Sequence, residues 1–338
     1  MTLAAIFGCS GTVLTAREAA FFRDVSPFGF ILFRRNVETP EQVKALVAAL
    51  RETVGRGDAP VMIDQEGGRV QRLGPPYWPV YPAGRVYGAV KSDDPLLAQA
   101  FARLGARLMA DDLHQLGINV DAVPVLDVPQ PGAHDVIGDR AYGATAQTIA
   151  ILGRAAAEGL LAGGVLPIIK HIPGHGRAMA DSHLHLPVVD APLSELSDVD
   201  FAPFRNLSDM PMAMTAHVIY TAIDPRRPAT TSRRVVRQVI RDDIGFDGLL
   251  MSDDLSMKAL SGTFRERTRQ SLSAGCDVVL HCNGDMDEMA EIAGAARPLS
   301  ARARQRAAAA LARIPRRVEP LDAAEARERF RQLVASAA

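Results

Sequence analysis

Short apolar runs of five to seven residues recur along the chain, separated by longer stretches whose apolar positions repeat at helical spacing. Eight such runs stand out, at residues 3–8, 28–33, 60–64, 118–123, 165–171, 211–217, 248–253 and 277–281. Most are predominantly apolar rather than alternating, which is the pattern of a strand buried on both faces of a parallel sheet. Between them the periodicity predicts helices over 17–24, 41–53, 95–116, 146–161, 193–206, 233–243 and 263–274. Thr39-Pro40 and Ser232 stand where a side-chain oxygen could accept from the free amides of a first helical turn.

Eight strands alternating with helices predict an α/β fold of the (β/α)8, TIM-barrel type. A doubly wound open sheet is the competing architecture, and its usual marker is a Gly-rich G-x-G-x-x-G turn after an early strand. No such turn is present. Gly67-Gly68 follows the third run, but its spacing fits neither a dinucleotide fingerprint nor a phosphate loop, and a sharp turn at a strand end explains it. Beyond residue 298 the chain becomes rich in Arg and Ala at helical spacing. The expected organisation is one barrel over 1–297 and a helical extension over 298–338 that packs on it.

Composition narrows the function classes. The chain of 338 residues carries 38 Lys+Arg against 39 Asp+Glu, a net charge of -1, which argues against nucleic acid as the main partner. Its 48% hydrophobic content is that of a globular core former. The three cysteines, Cys9, Cys276 and Cys282, have no metal-ligand spacing and suggest neither a disulfide framework nor structural zinc. The apolar start ending in Cys9 raises a lipoprotein signal, but it lacks a basic n-region, so a buried first strand is the better reading. No run approaches the roughly 20 apolar residues of a membrane span. A monomeric, cytoplasmic enzyme with no membrane partner is expected.

Several strand ends carry titratable groups, and in this fold reacting groups stand at the C-terminal strand ends. The third run ends at Asp64, the fifth at Lys170-His171, the sixth at His217 and the seventh at Asp253-Asp254. One such group is what any surfacing strand shows, whereas four of eight point to an active site. Four of the eight histidines fall between 171 and 185, in a loop also holding Asp181. His171, His175, Asp181, His183 and His185 are suitable zinc ligands by type. The same residues also suit acid/base catalysis, with Asp181 orienting His183. Spacing alone leaves both open. Asp253 is placed to face the barrel mouth as ligand or nucleophile, while Asp254 fits the start of the following turn.

The segments Lys170-His-Ile-Pro-Gly-His-Gly176, Asp181-Ser-His183, Met214-Thr-Ala-His-Val218, Pro228-Ala-Thr-Thr-Ser232 and Ser252-Asp-Asp-Leu-Ser-Met257 together resemble family 3 glycoside hydrolases. Within them the chain is similar to the single-domain bacterial β-N-acetylhexosaminidases of cell-wall recycling. The resemblance runs over about residues 1–295 and several long motifs in order make it specific. It implies Asp253 as nucleophile, His183 with Asp181 as acid/base dyad, and sugar binding by Asp64, Arg72, Arg140, Lys170 and His171. It implies no metal and no cofactor, which favours the acid/base reading of the loop. Ile172 replaces the family's frequent Phe, and His185 lies outside the pattern.

Retaining glycosidases usually set two carboxyl groups about 5–5.5 Å apart, and here a His–Asp dyad would replace the second. An unperturbed imidazole, with a pKa of about 6.5, can both give and take a proton near neutral pH. The loop carrying it is expected to close over bound sugar. The second α/β domain of many members has no counterpart, so all catalytic groups are expected from the barrel. The implied substrate is a muropeptide or other amino sugar, with N-acetylglucosamine removed from fragments ending in 1,6-anhydro-N-acetylmuramic acid. A phosphorylase of the same family and a zinc-dependent barrel hydrolase are the alternatives.

Overall fold

A computed structural model describes residues 1–90, 96–182 and 184–337. Eight parallel strands close into a barrel: β1 (Leu3–Gly8), β2 (Pro27–Leu32), β3 (Val61–Ile63), β4 (Val120–Asp121), β5 (Leu166–Ile172), β6 (Met212–Thr215), β7 (Leu249–Asp254) and β8 (Val278–His281). Each pairs with its sequence neighbours, and β1 closes the ring on β8 through the register Ala5↔Val279. All residues of β1, β2 and β5 are buried, because the strands face the barrel interior on one side and the helices on the other. Both α/β character and barrel closure follow the expectation from the sequence.

The helices begin where cap chemistry allows. Thr39 Oγ1 accepts from Gln42 N–H at 3.2 Å before Pro40–Val54, and Ser232 Oγ accepts from Val235 N–H at 3.2 Å. Thr15 with Glu18 and Thr263 with Glu266 form reciprocal capping boxes. Three departures from the pattern have physical causes. β4 pairs regularly over two residues only: Pro124, which has no N–H to donate, interrupts the ladder, and pairing with β5 resumes as the single bridge Val125↔Lys170. The stretch expected as one helix over 193–206 is broken into Leu193–Glu195, a π-helical turn Leu196–Asp200 and Ala202–Asn206, with Pro203 in the first turn of the last. Met286–Ala293 is an additional helix, capped by Asp285.

Past residue 297 the chain stays against the barrel. Leu3 bridges Pro298, and Ala4 N–H donates to Arg297 O at 2.9 Å. Helix Ala301–Leu311 buries Ala303, Ala307 and Ala310, while Arg306 reaches Asp247 at 2.6 Å and Asp277 at 3.1 Å. The alanines permit close approach and the arginines tie the helix to the strand beginnings. Helix Ala323–Ala337 inserts Phe330 between Tyr81 and Phe101, with ring centroids 5.9 and 5.2 Å away. Gly105 allows this contact, since a Cβ there would lie 2.9 Å from the Phe330 ring. Among the described residues no helix is long and apolar enough to cross a membrane.

Candidate active site

The C-terminal ends of the strands surround a cavity of about 340 Å³. Asp64, Arg72, Arg140, Lys170, His171 and Asp253 all line it, so six of the residues selected from the sequence are brought together from four different segments.

Asp64 is the first residue after β3. The chain then forms a small antiparallel ladder between Gln65–Gly67 and Val70–Gln71. Gly67 makes the turn at φ 90°, and a Cβ there would strike Pro82 O at 2.2 Å, so only glycine fits. The Gln65 side chain accepts from the Arg72 and Leu73 amides at 3.0 Å each, which locks the hairpin. Asp64 and Arg72 therefore face each other, with Nη2 3.0 Å from Oδ2.

Lys170 stands at the centre. Its Nζ lies 3.0 Å from Asp64 Oδ1 and 2.5 Å from Glu66 Oε1, and its side chain is 3% exposed. Glu66 in turn takes a two-pronged bond from Arg140, 2.8 Å at both Nε and Nη2. Burial alone would raise both carboxyls. Lys170 and Arg72 nevertheless hold Asp64 well below its ordinary range, and Arg140 with Lys170 holds Glu66 at about 2. Arg140 Nη1 also donates to Val136 O at 3.1 Å, so this guanidinium is largely engaged within the protein. Glu66 is the anchor that sequence reasoning missed, although it sits within the segment from Asp64 to Arg72.

A second missed carboxylate is Asp127, fully buried in the apolar stretch after β4. Its Oδ2 lies 2.7 Å from His171 Nδ1, and its Oδ1 accepts from the His171 and His175 amides at 3.2 and 2.6 Å. The signal for it was a lone Asp inside an apolar run. Burial would raise its carboxyl, but His171 and His175 hold it at about 2. With Nδ1 so engaged, His171 presents its other edge to the cavity. His175 is buried beside it, and burial with the neighbouring His171 pushes its imidazole down to about 4.

Asp253 is the penultimate residue of β7 and lines the cavity, with Oδ1 accepting from Asp254 N–H at 2.8 Å. Asp254 is used differently: Oδ1 accepts from the Ser256 and Cys282 amides at 3.1 Å each, so it organises the turn, as its position in the sequence suggested. His217 lies just past β6 with both ring nitrogens engaged, to Thr230 Oγ1 at 2.7 Å and Asp254 O at 3.0 Å. The Pro228–Ser232 segment thus braces the β7 turn from behind.

In the His-rich loop the arrangement is less complete. Asp181 is partly exposed and lines a neighbouring depression of about 360 Å³ with Arg69, His134 and Arg140, outside the main cavity. Ser182 is buried and lines the main cavity; its hydroxyl is 3.1 Å from His175 Nε2, and its carbonyl accepts from Ala259 N–H at 3.2 Å. His183 lies outside the described residues. His185 is exposed and lines neither space. Among the described residues no three of His, Cys, Asp and Glu are grouped so as to hold a metal ion.

The low carboxyl values have a consequence for stability. A group depressed in the fold stabilises it above its unfolded pKa, about 4, and that contribution is lost as pH falls through the folded value. Stability is therefore expected to fall steeply between about pH 4 and about pH 2, where Glu66 and Asp127 take up protons. Urea midpoints across this range check it, and Asp127→Asn should flatten the slope. An unchanged slope in that variant would contradict the assignment.

The chain matches the family described as glycosyl hydrolase family 3 N-terminal domain over residues 16–316. It is 40% identical over 282 residues to a beta-hexosaminidase of Alkalilimnicola ehrlichii, covering 82% of this chain and 80% of that one. Among solved structures it superimposes on native NagZ from Neisseria gonorrhoeae with a TM-score of 0.85 at 33% identity, covering 99% of this chain and 97% of that one. A family 3 β-N-acetylglucosaminidase from Paenibacillus gives a TM-score of 0.86 at 30% identity, covering 98% of this chain and 67% of that one.

Proposed function

Since the chain belongs to glycosyl hydrolase family 3 and is a glycosidase of the β-hexosaminidase kind, we propose that it is a retaining, exo-acting β-N-acetylglucosaminidase of peptidoglycan fragments. Its substrates in this reading are muropeptides with a terminal N-acetyl-β-glucosamine, including those ending in 1,6-anhydro-N-acetylmuramic acid, processed in the cytoplasm during cell-wall recycling. The observation that carries it is Asp253 facing the Asp64–Lys170–Glu66 cluster across one small cavity. At about 340 Å³ that cavity is near the lower end of ligand sites, about 300–1,000 Å³, a size that suits one terminal sugar better than a chain interior.

The Asp253 carboxylate attacks the anomeric carbon while the glycosidic C–O bond breaks. The bonding pair leaves with the aglycone oxygen, which takes a proton from His183, oriented by Asp181. Water then loses its proton to His183 and attacks the same carbon, displacing Asp253 and restoring the β configuration. Asp64, Lys170, Arg72 and His171 hold ring hydroxyls, and Arg140 acts mainly by holding Glu66. Because Lys170 and Asp64 are already ion-paired before sugar arrives, their dipoles need little reorganisation as positive charge develops on the ring.

Incubation with 5-fluoro-N-acetylglucosaminyl fluoride, followed by proteolysis and peptide mass mapping, tests this. The expected product is a stable adduct on the peptide holding Asp253. An adduct elsewhere, or none despite turnover of an aryl glycoside, would refute a covalent intermediate on this residue.

A further inference from the structure

Arg177 lies in the His-rich loop, six residues before His183, and reaches away from the cavity. Its Nε lies 2.6 Å from Asp200 Oδ2 and its Nη1 2.7 Å from Glu195 Oε1. Asp200 is 1% exposed and the Arg177 side chain 13%, so this is a buried ion pair and not a surface one. Asp200 ends the π-helical turn Leu196–Asp200, the local irregularity that broke the expected 193–206 helix. Turns of this kind are often kept where a side chain must be aimed.

The same carboxylate residue abuts the root of the loop. A Cβ on Gly174, at φ 140°, would lie 3.1 Å from both Asp200 Cβ and Asp200 O. Tyr220 OH donates to Gly174 O at 2.5 Å on the same side. Farther along, Gly176 O accepts from Gln130 N–H and Ala178 O from His134 N–H, at 3.1 and 2.9 Å. Arg177 is thus a charged tether in a stem also held by backbone bonds, by the Tyr220 hydroxyl and by the Asp127 carboxylate. Its fit is incomplete, because Arg177 Nη2 and Asp200 Oδ1 are both buried without a partner among the described residues. Two buried charges that forgo the full two-pronged pairing would be replaced at little cost to folding by apolar groups, so their use here points to positioning.

We propose that the Arg177–Asp200 ion pair, with Glu195 as its outer partner, positions the loop carrying Asp181 and His183 so that the dyad meets the glycosidic oxygen. This rests on the reading of His183 as acid/base. Neither Arg177 nor Asp200 touches substrate, and both act through the loop stem. Displacing an acid by about 1 Å can cost on the order of 100-fold, while substrates whose leaving group needs no proton are spared.

The test uses the full chain and its variants Asp200→Asn and Arg177→Met, with Arg177→Lys as the conservative control and thermal melting to confirm folding. On a 2,4-dinitrophenyl N-acetyl-β-glucosaminide, kcat/KM should stay within about threefold of the parent, with kcat and KM falling together as base-assisted water attack slows. On a 4-methoxyphenyl glycoside, kcat/KM should fall about 10- to 100-fold, with partial recovery in Arg177→Lys. Combining Asp200→Asn with His183→Ala should add little to His183→Ala alone. Equal losses on both substrates in folded Asp200→Asn, beside a leaving-group dependence in His183→Ala, would overturn the positioning role and leave the dyad standing. No leaving-group dependence in His183→Ala itself would remove the dyad and this proposal with it.

Discussion

Replacing Asp253 with Ala is expected to lower kcat/KM by about four orders of magnitude or more, even on an activated aryl glycoside, with the thermal midpoint little changed. The size follows from its role: without the carboxylate no covalent intermediate forms, and the remaining cavity can only bind. The fold should tolerate the change, because Asp253 stands at the rim end of β7 and accepts from the next amide, Asp254 N–H at 2.8 Å. Its neighbour Asp254 keeps the turn through Ser256 and Cys282. Azide should restore part of the turnover by entering the vacated space and should yield the α-configured glycosyl azide, since it attacks from the same face as the lost carboxylate. Residual activity within tenfold of the parent, or a β-azide product, would remove Asp253 as nucleophile.

Lys170→Met is expected to have the largest effect on stability. Lys170 Nζ is shared by Asp64 and Glu66, and the side chain is 3% exposed, so the variant would leave two buried carboxylates without their common cation. Breaking a buried ion pair by removing one partner costs about 3–5 kcal/mol. Arg72 and Arg140 still face the two acids, which keeps the cost within that range. The sign with pH follows directly. Without Lys170, burial lifts both carboxyls, and a carboxyl raised in the fold costs stability as pH climbs above its unfolded value of about 4. The gap between parent and variant should thus be wider at pH 8 than at pH 5, and adding Glu66→Gln should narrow it. Denaturant midpoints at the two values measure this. A gap independent of pH would show that Lys170 acts by packing alone.

Reading the chain for strands succeeded where both faces are buried. β1 and β2 are continuous apolar runs, and β5 and β7 are apolar until they near the rim, because their inner stretches are packed between barrel interior and helices. It failed at β4, where Pro124 interrupts the ladder before pairing resumes at Val125, and at 193–206, where helical spacing concealed a π turn. In both places hydrophobic period carried on through a change in backbone hydrogen bonding, and period does not report that bonding.

The candidate site shows a similar division. Residues at strand ends, Asp64, Lys170, His171 and Asp253, were legible because a charge that closes an apolar run has to surface at the barrel rim. Glu66 and Asp127 were not, since each is a carboxylate whose meaning depends on a cation from a distant segment: Arg140 for Glu66 and His171 for Asp127. Arg140 was chosen as a sugar ligand, and the fold ties it to Glu66 and Val136 O. Asp181 was expected at the rim as the partner orienting His183 and lines the adjoining depression, while His183 itself falls outside the described residues.

By itself, then, the sequence determined the number of barrel strands, their parallel order and the titratable groups that close strands at one rim, Asp64, Lys170, His171 and Asp253, because burial on both faces and chain exit at strand ends are local requirements. Which of those groups would be paired, and therefore which carboxyls stay ionised at low pH and which cation stands between Asp64 and Glu66, was decided only by the closed barrel. Coulomb interactions act through space and strengthen with burial. Asp64 and Lys170 are 106 positions apart in the chain and 3.0 Å apart in the fold, a proximity that only closure of the strand ring creates.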